Sequence, residues 1–217
     1  MPETTPDFAE EAFDADDLPG AHAHAGAHTG PLGQTPSQTV GPFFGFALPY
    51  EGGPEVASPW HPSAVRFHGT VFDGAGDGIP DAVVEIWGPD ATGSIITERG
   101  SFSRDGHTIT GFGRGAVDRD GHYSFTTIKP GPTRPDAAPY LLITVFARGL
   151  THHLVTRAYF DDEGERNDRD RLLGDVDPER RSTLIARADG EASYRFDIRL
   201  QGDGETVFLD FDAEGDD

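Results

Sequence analysis

The chain has 217 residues with 28 Gly, 17 Pro and no Cys, and its 17 basic and 38 acidic side chains give a formal charge of −21. Gly and Pro are poorly tolerated in helix interiors, which argues against a helical bundle, and the missing cysteines exclude thiol catalysis, thiolate metal sites and disulfides. So acidic a body repels phosphate backbones and anionic lipid, and no run of 18 apolar residues is present, so neither a nucleic-acid nor a membrane partner is expected. A soluble, cytoplasmic protein is the expectation.

Residues 1–33 carry seven acidic side chains (Glu3, Asp7, Glu10, Glu11, Asp14, Asp16 and Asp17) and no basic one, and Ala21–His28 reads AHAHAGAH. Low complexity without an apolar period predicts a disordered extension here. His22, His24 and His28 are metal-ligand types, but nothing nearby fixes their tautomers, so adventitious affinity is the most they imply.

From residue 34 to 211 the pattern is strand and turn, a single β domain followed by an acidic tail over 212–217. Strands are expected at Val65–Phe72, Ala82–Trp87, His122–Thr127, Leu141–Ala147, Leu154–Phe160, Ser193–Leu200 and Thr206–Phe211. In Tyr194–Leu200 one face is apolar and the other charged, the period of a half-buried strand. Asp-Gly pairs at 73–74, 77–78, 105–106, 120–121, 189–190 and 203–204 supply the left-handed turn geometry that hairpins use. The predicted fold is all-β, an antiparallel β-sandwich with long loops and one or two short helices. Asp161 to Asp175 is charge-dense and reads as a connection. Asp177 as N-cap with Pro178 at the first position predicts a short helix running to about Ala186.

The motifs offer no self-sufficient catalytic set. His152 and His153 are adjacent and point to opposite faces of a strand, while His61, His68, His107 and His122 stand alone in sequence. The Asp73–Gly78 turn lacks the alternate ligands of a calcium loop, Gly111–Gly115 lacks a following helix, and no Gly-x-Ser-x-Gly is present. Two features stand out. Gln34–Phe44 (QTPSQTVGPFF) is a stiff loop with exposed backbone N–H groups, suited to lining a pocket. In Phe146–Gly149 a cation ends an apolar strand, where Arg148 either grips a bound carboxylate or pairs with one of the many acids.

Several stretches resemble the intradiol ring-cleaving dioxygenases: Thr35–Phe43, Gly69–Val71 with Ile79–Trp87, Asp120–Gly131 and Arg195–Gly202. Phe146–Gly149, Tyr159–Asp162 and Gly204–Phe211 resemble in particular the alpha chains of the two-chain members. The likeness covers about residues 34–211. It implies an active site shared between an alpha and a beta chain, in which Fe(III) is held by two tyrosinates and two histidines of the beta chain. The corresponding places here are Thr133, Tyr140, Leu142 and a position near Ile95. The resemblance therefore implies that this chain binds no metal and has the iron-bearing beta chain as its partner. Catechol-ring cleavage by O₂ would then take place in the assembly alone. It further implies that Arg148 binds substrate and that Thr39, Gly41, Pro42 and Phe43 form the pocket wall, Phe43 standing where other alpha chains often carry Tyr. Two other readings stay open: a non-enzymatic β-sandwich that binds a ligand or partner, and a metal site of the chain's own built from Tyr140, Tyr123 and a histidine.

Overall fold

The computed structural model describes residues 36–41, 43–96 and 104–210, and all of these but Pro36 belong to one unit, Ser37–Asp217. The expected extension over 1–33 with its three histidines, Pro42, Phe211 and the tail over 212–217 lie outside the described residues. Among the described residues nine strands are present: β1 (Ala64–Phe72), β2 (Val83–Trp87), β3 (Phe112–Ala116), β4 (His122–Ile128), β5 (Tyr140–Phe146), β6 (Leu154–Phe160), β7 (Ile185–Gly190), β8 (Ser193–Arg195) and β9 (Ile198–Arg199). They are hydrogen-bonded in the order β3-β2-β5-β6-β7-β8-β1-β4, with β9 beside β1.

β7 turns the corner between two layers. Its first residues, Ile185 and Ala186, pair with β6, and the stretch from Arg187 to Gly190 pairs with β8. One strand thus serves the β3-β2-β5-β6 layer and then the β8-β1-β4 layer, as a strand does when it switches sheets in a sandwich. The core fills the space between. Leu141, Ile143 and Val145 of β5 alternate inward, and they join Ile86 and Phe160 from their own layer and Phe67, Val71, Tyr123 and Phe125 from the other. A second, smaller cluster lies on the outer face of β5 and β6, where Tyr159, Leu173 and Leu184 are buried and Tyr140 and Leu172 pack against them.

Five expected strands match β1, β2, β4, β5 and β6 within a residue or two. The exceptions have physical causes. The expected strand Ser193–Leu200 breaks into β8 and β9 at Phe196: its N–H still donates to the His68 carbonyl of β1 at 2.7 Å, but its carbonyl is turned to the buried Tyr123 hydroxyl, which it accepts at 2.5 Å. The Asp197 carboxylate takes over on β1, accepting the Thr70 N–H at 3.0 Å. β1 has Gly69 at the crossing because a Cβ there would sit 1.8 Å from the Phe196 oxygen.

β3 (FGRGA) was not anticipated, since glycine disfavours strands. Here glycine permits close packing: a Cβ on Gly113 would lie 2.5 Å from Val56 and 3.2 Å from Phe125. The helix expected from Asp177 to Ala186 is not formed. Asp177 does accept the Glu179 N–H at 3.0 Å, but only a turn and a short 3₁₀ segment, Arg181–Leu184, follow before Ile185 joins the sheet. Tertiary strand pairing overrides the local cap. The strand expected at Thr206–Phe211 is not formed over 206–210, a stretch held at points such as Leu209 N–H to the Val155 carbonyl at 2.7 Å.

Among the described residues there are three short α-helices, where one or two were expected: α1 (Phe44–Ala47), α2 (Gly164–Asn167) and α3 (Arg171–Asp175). The sandwich is also mixed, because β1–β8, β1–β9 and β6–β7 are parallel pairs. No helix among the described residues is long and apolar enough to cross a membrane.

The Tyr123 hydroxyl satisfies a carbonyl that would otherwise be buried without a donor. Tyr123→Phe is therefore expected to cost about 1–3 kcal/mol of unfolding free energy. Urea denaturation followed by tryptophan fluorescence checks this, and a loss below about 0.5 kcal/mol would mean that water replaces the hydroxyl.

Candidate functional site

The register of β2 with β5 decides the surroundings of Arg148. Val83 lies opposite Phe146, so in an antiparallel pair the residues two further out, Asp81 and Arg148, fall across from each other. Their side chains meet there. Arg148 Nε donates to Asp81 Oδ2 at 2.6 Å, and Nη2 reaches the same oxygen. The Arg148 side chain is 65% exposed, so of the two sequence readings the ion pair exists in the chain by itself.

The N-terminal segment comes to this same edge. Gly45 of α1 lies against the Asp81 carbonyl, and Val40 lines a groove of about 800 Å³ with Phe146, His152, His153, Leu154 and Phe208, beside the turn that carries Arg148. Thr39 is exposed, Phe43 is exposed and Gly41 is half-buried. Gly41 has φ +70°, in the left-handed region that favours glycine. Phe43 and Phe46 present large apolar rings to solvent, which a free surface gains nothing by showing.

The places that the resemblance gives to iron ligands fall mostly elsewhere, on the outer face of β5 and β6. Thr133 and Tyr140 line a cavity of about 420 Å³ together with Arg157, Asp170, Leu172 and surface groups. Leu142 is on the same face of β5, opposite Arg157, and Ile95 is exposed. Sequence reasoning did not single out Arg157. Its guanidinium lies 4.0 Å from the centre of the Tyr140 ring and its Nη1 donates to the Tyr159 hydroxyl at 3.3 Å. Tyr159 donates to Asp170 Oδ1 at 3.0 Å. Burial pushes the Tyr159 hydroxyl well up and the nearby Asp170 charge adds to this, while Arg157 pulls the other way, so Tyr159 stays protonated.

Asp170 is itself buried and fully engaged. It caps α3 by accepting from the N–H groups of Leu172 and Leu173, and its other oxygen accepts the Ala138 N–H at 3.1 Å. An Fe(III) ion does not fit this set. The residues in the ligand places offer one phenol with no histidine beside it, and a fixed guanidinium over that phenol opposes any added cation. Among the described residues no group of three or more His, Cys, Asp or Glu is placed to hold a metal.

The third reading, a metal site of Tyr140, Tyr123 and a histidine, is contradicted by the fold. Tyr140 is on β5 in one layer, whereas Tyr123 is on β4 in the other with its hydroxyl committed to Phe196. The structure does bring together two histidines that are far apart in sequence: His68 Nδ1 lies 3.2 Å from His122 Nε2, and His68 Nε2 lies 2.8 Å from Asp189. Burial, then the His68 charge, holds His122 below the usual imidazole range. This chain ties β1 to β4 and β7.

Because Arg148 is mostly exposed, its pair with Asp81 adds little to the fold. Arg148→Ala is expected to change the unfolding free energy by less than about 1 kcal/mol, measured by urea denaturation of the full chain. A larger loss would make the residue a structural one.

A family model described as Dioxygenase matches residues 61–202. Over 195 residues the chain is 40% identical to the protocatechuate 3,4-dioxygenase alpha chain of Burkholderia cepacia, covering 82% of this chain and 98% of that one. To the protocatechuate 3,4-dioxygenase beta chain of Burkholderia cepacia it is 29% identical over 154 residues, 62% of this chain and 63% of that one. Among solved structures, the dioxygenase domain of a dioxygenase–carbohydrate-binding protein fusion from Streptomyces sp. SirexAA-E has the same fold, with a TM-score of 0.53 at 24% identity over 77% of this chain and 98% of that one. With a model spanning most of the β domain and a relative matched over nearly its whole length, the chain belongs to the intradiol dioxygenase family.

Proposed function

We propose that this chain is the alpha subunit of a protocatechuate 3,4-dioxygenase: it binds no iron itself and completes an active site whose Fe(III) is held by a beta-chain partner. The observation that carries this reading is Arg157, a guanidinium standing over the phenol ring where a metal-binding chain would need a vacant ligand position. The alpha-chain relative matched over nearly its whole length supports the same assignment. The assembled enzyme would insert both atoms of O₂ into protocatechuate and open the ring between the hydroxyl-bearing carbons to 3-carboxy-cis,cis-muconate. The iron chemistry belongs to the partner. This chain supplies a wall and a charge.

The wall is the N-terminal segment with Thr39, Gly41, Pro42 and Phe43, and the exposed rings of Phe43 and Phe46 give an interface apolar surface to bury. The charge is Arg148. Its side chain is 65% exposed, and the N–H donors not used by Asp81 suit the planar carboxylate of protocatechuate. A cation held in place before substrate arrives lowers the free energy of the bound anion without paying to order a side chain at that moment.

Co-expression with a beta chain tests the assignment. The expected product is a coloured complex with ring-cleaving activity and one iron per alpha–beta pair, whereas the chain purified alone binds none. A stable, colourless chain that forms no complex and shows no activity would favour the ligand- or partner-binding module instead. In the active complex, Arg148→Ala is expected to lower kcat/KM by about tenfold or more, chiefly through KM, as expected for a lost charge-assisted hydrogen bond. Unchanged kcat and KM would remove Arg148 from the site.

A further inference from the structure

We infer that the cavity between the 133–137 segment, Tyr140 and the start of α3 is a second binding site, one that takes a small carboxylate anion on Arg157. The site lies in this chain alone and does not rest on the proposed subunit role. Its volume of about 420 Å³ falls in the range of about 300–1,000 Å³ typical of small-molecule pockets.

The cavity is lined by three arginines and three aspartates, which are not equally paired. Arg134 and Arg171 at the rim are paired with Asp136 at 3.9 Å and Asp175 at 3.8 Å. The buried Asp170 is saturated by three backbone N–H groups and the Tyr159 hydroxyl. Arg157 has no carboxylate within ion-pair distance among the described residues. Its only hydrogen-bond acceptor there is the neutral Tyr159 oxygen, a long 3.3 Å contact, and its Nε is buried without a partner. Arg104 and Arg181 are also half-buried without a carboxylate, but each donates to two or more hydroxyl or carbonyl oxygens; Arg157 instead keeps a buried N–H with no acceptor, where buried polar groups are ordinarily hydrogen-bonded.

The geometry also selects the ligand. Tyr140 stacks on the guanidinium and holds its plane fixed, so the remaining N–H groups form a rigid planar edge, the shape that a carboxylate meets with two parallel hydrogen bonds. Leu172 adds an apolar surface at the wall, so the favoured ligand has a small apolar body behind its carboxylate. Asp136 and Asp175 at the rim disfavour ligands carrying several negative charges.

The test is a ¹⁹F NMR titration of the full-length chain with 4-fluorobenzoate, with neutral 4-fluorobenzamide as the comparison and inorganic phosphate as the competitor. Saturable binding at one site per chain is expected for the benzoate, with the benzamide and phosphate each at least about tenfold weaker. Arg157→Gln, which keeps a donor for Tyr159 but loses the charge, should weaken benzoate by about tenfold or more. Arg134→Glu changes only an exposed rim residue and leaves folding aside; it should weaken benzoate several-fold. The proposal is overturned by absence of saturable binding, by equal affinity for the benzamide, or by wild-type affinity in both variants. Phosphate binding as tight as benzoate would overturn the carboxylate assignment. The readout needs no partner and no turnover, so failure of the Arg148 experiment leaves it unaffected.

Discussion

The phase of β5 sets the position of both proposed sites. Leu141, Ile143 and Val145 must face the core, which leaves Tyr140 and Leu142 on the outer face and brings the strand to its end at Phe146. The alternation is strict, and a one-residue slip would drive Tyr140 into the core and Leu141 out of it. The burial of three apolar residues therefore fixes where the phenol of Tyr140 stands, and with it the cavity it lines. The same register, carried past Phe146, puts Arg148 across from Asp81. The two proposed sites share no residue, yet one strand places both.

Outside the core, the few basic residues each hold a specific place. Arg104 ties its own loop to residues 50–53 and β3, donating to the Tyr50 hydroxyl, the Thr110 hydroxyl and the carbonyls of Gly52, Gly53 and Phe112. Arg114 pairs with Glu85 across β3 and β2. Lys129, the single lysine, bridges Asp162 and Glu163 at the end of β6. The net charge describes the solvated surface; the cations are used singly, mostly with partners already beside them. Against that background an arginine with a buried N–H lacking any acceptor is informative, and Arg157 is such a residue.

Much of the fold was legible in the sequence because short runs rich in β-branched and aromatic residues, bounded by turn residues, mark strands. β1, β2, β4, β5 and β6 are such runs. What escaped was structure set by partners distant in the chain. β3 needs glycine only because Val56 and Phe125 press on it, and Ile185 is a strand residue only because β6 offers an edge. The break at Phe196 depends on a tyrosine hydroxyl 73 residues away. The site divided in the same manner. Arg148 was visible as a cation ending an apolar strand. Arg157, in the middle of Leu154–Phe160, looked like the polar member of an alternating strand; that its face is covered by α3 and the 133–137 segment rather than by water is a tertiary fact. The one local hint was the apolar pair Leu172–Leu173 just after Asp170, a capped hydrophobic turn that needs a surface to cover.

The pair between Arg148 and Asp81 bears on how an exposed cation can serve a substrate. An arginine has five N–H donors in a rigid fork. Asp81 takes Nε and Nη2 through one oxygen, which leaves the Nη1 edge uncommitted and most of the side chain in solvent. In the proposed role a substrate carboxylate arriving at that edge need not displace Asp81, so the aspartate would act as an anchor that fixes the fork's direction. Its negative charge has a cost, since it opposes an incoming anion, but at the exposed end of a hairpin water screens that repulsion. Once a partner surface covers the edge the screening falls and every charge there counts for more. In the proposed assembly, an anchored arginine would give orientation at all times and strong attraction only once the partner surface is in place.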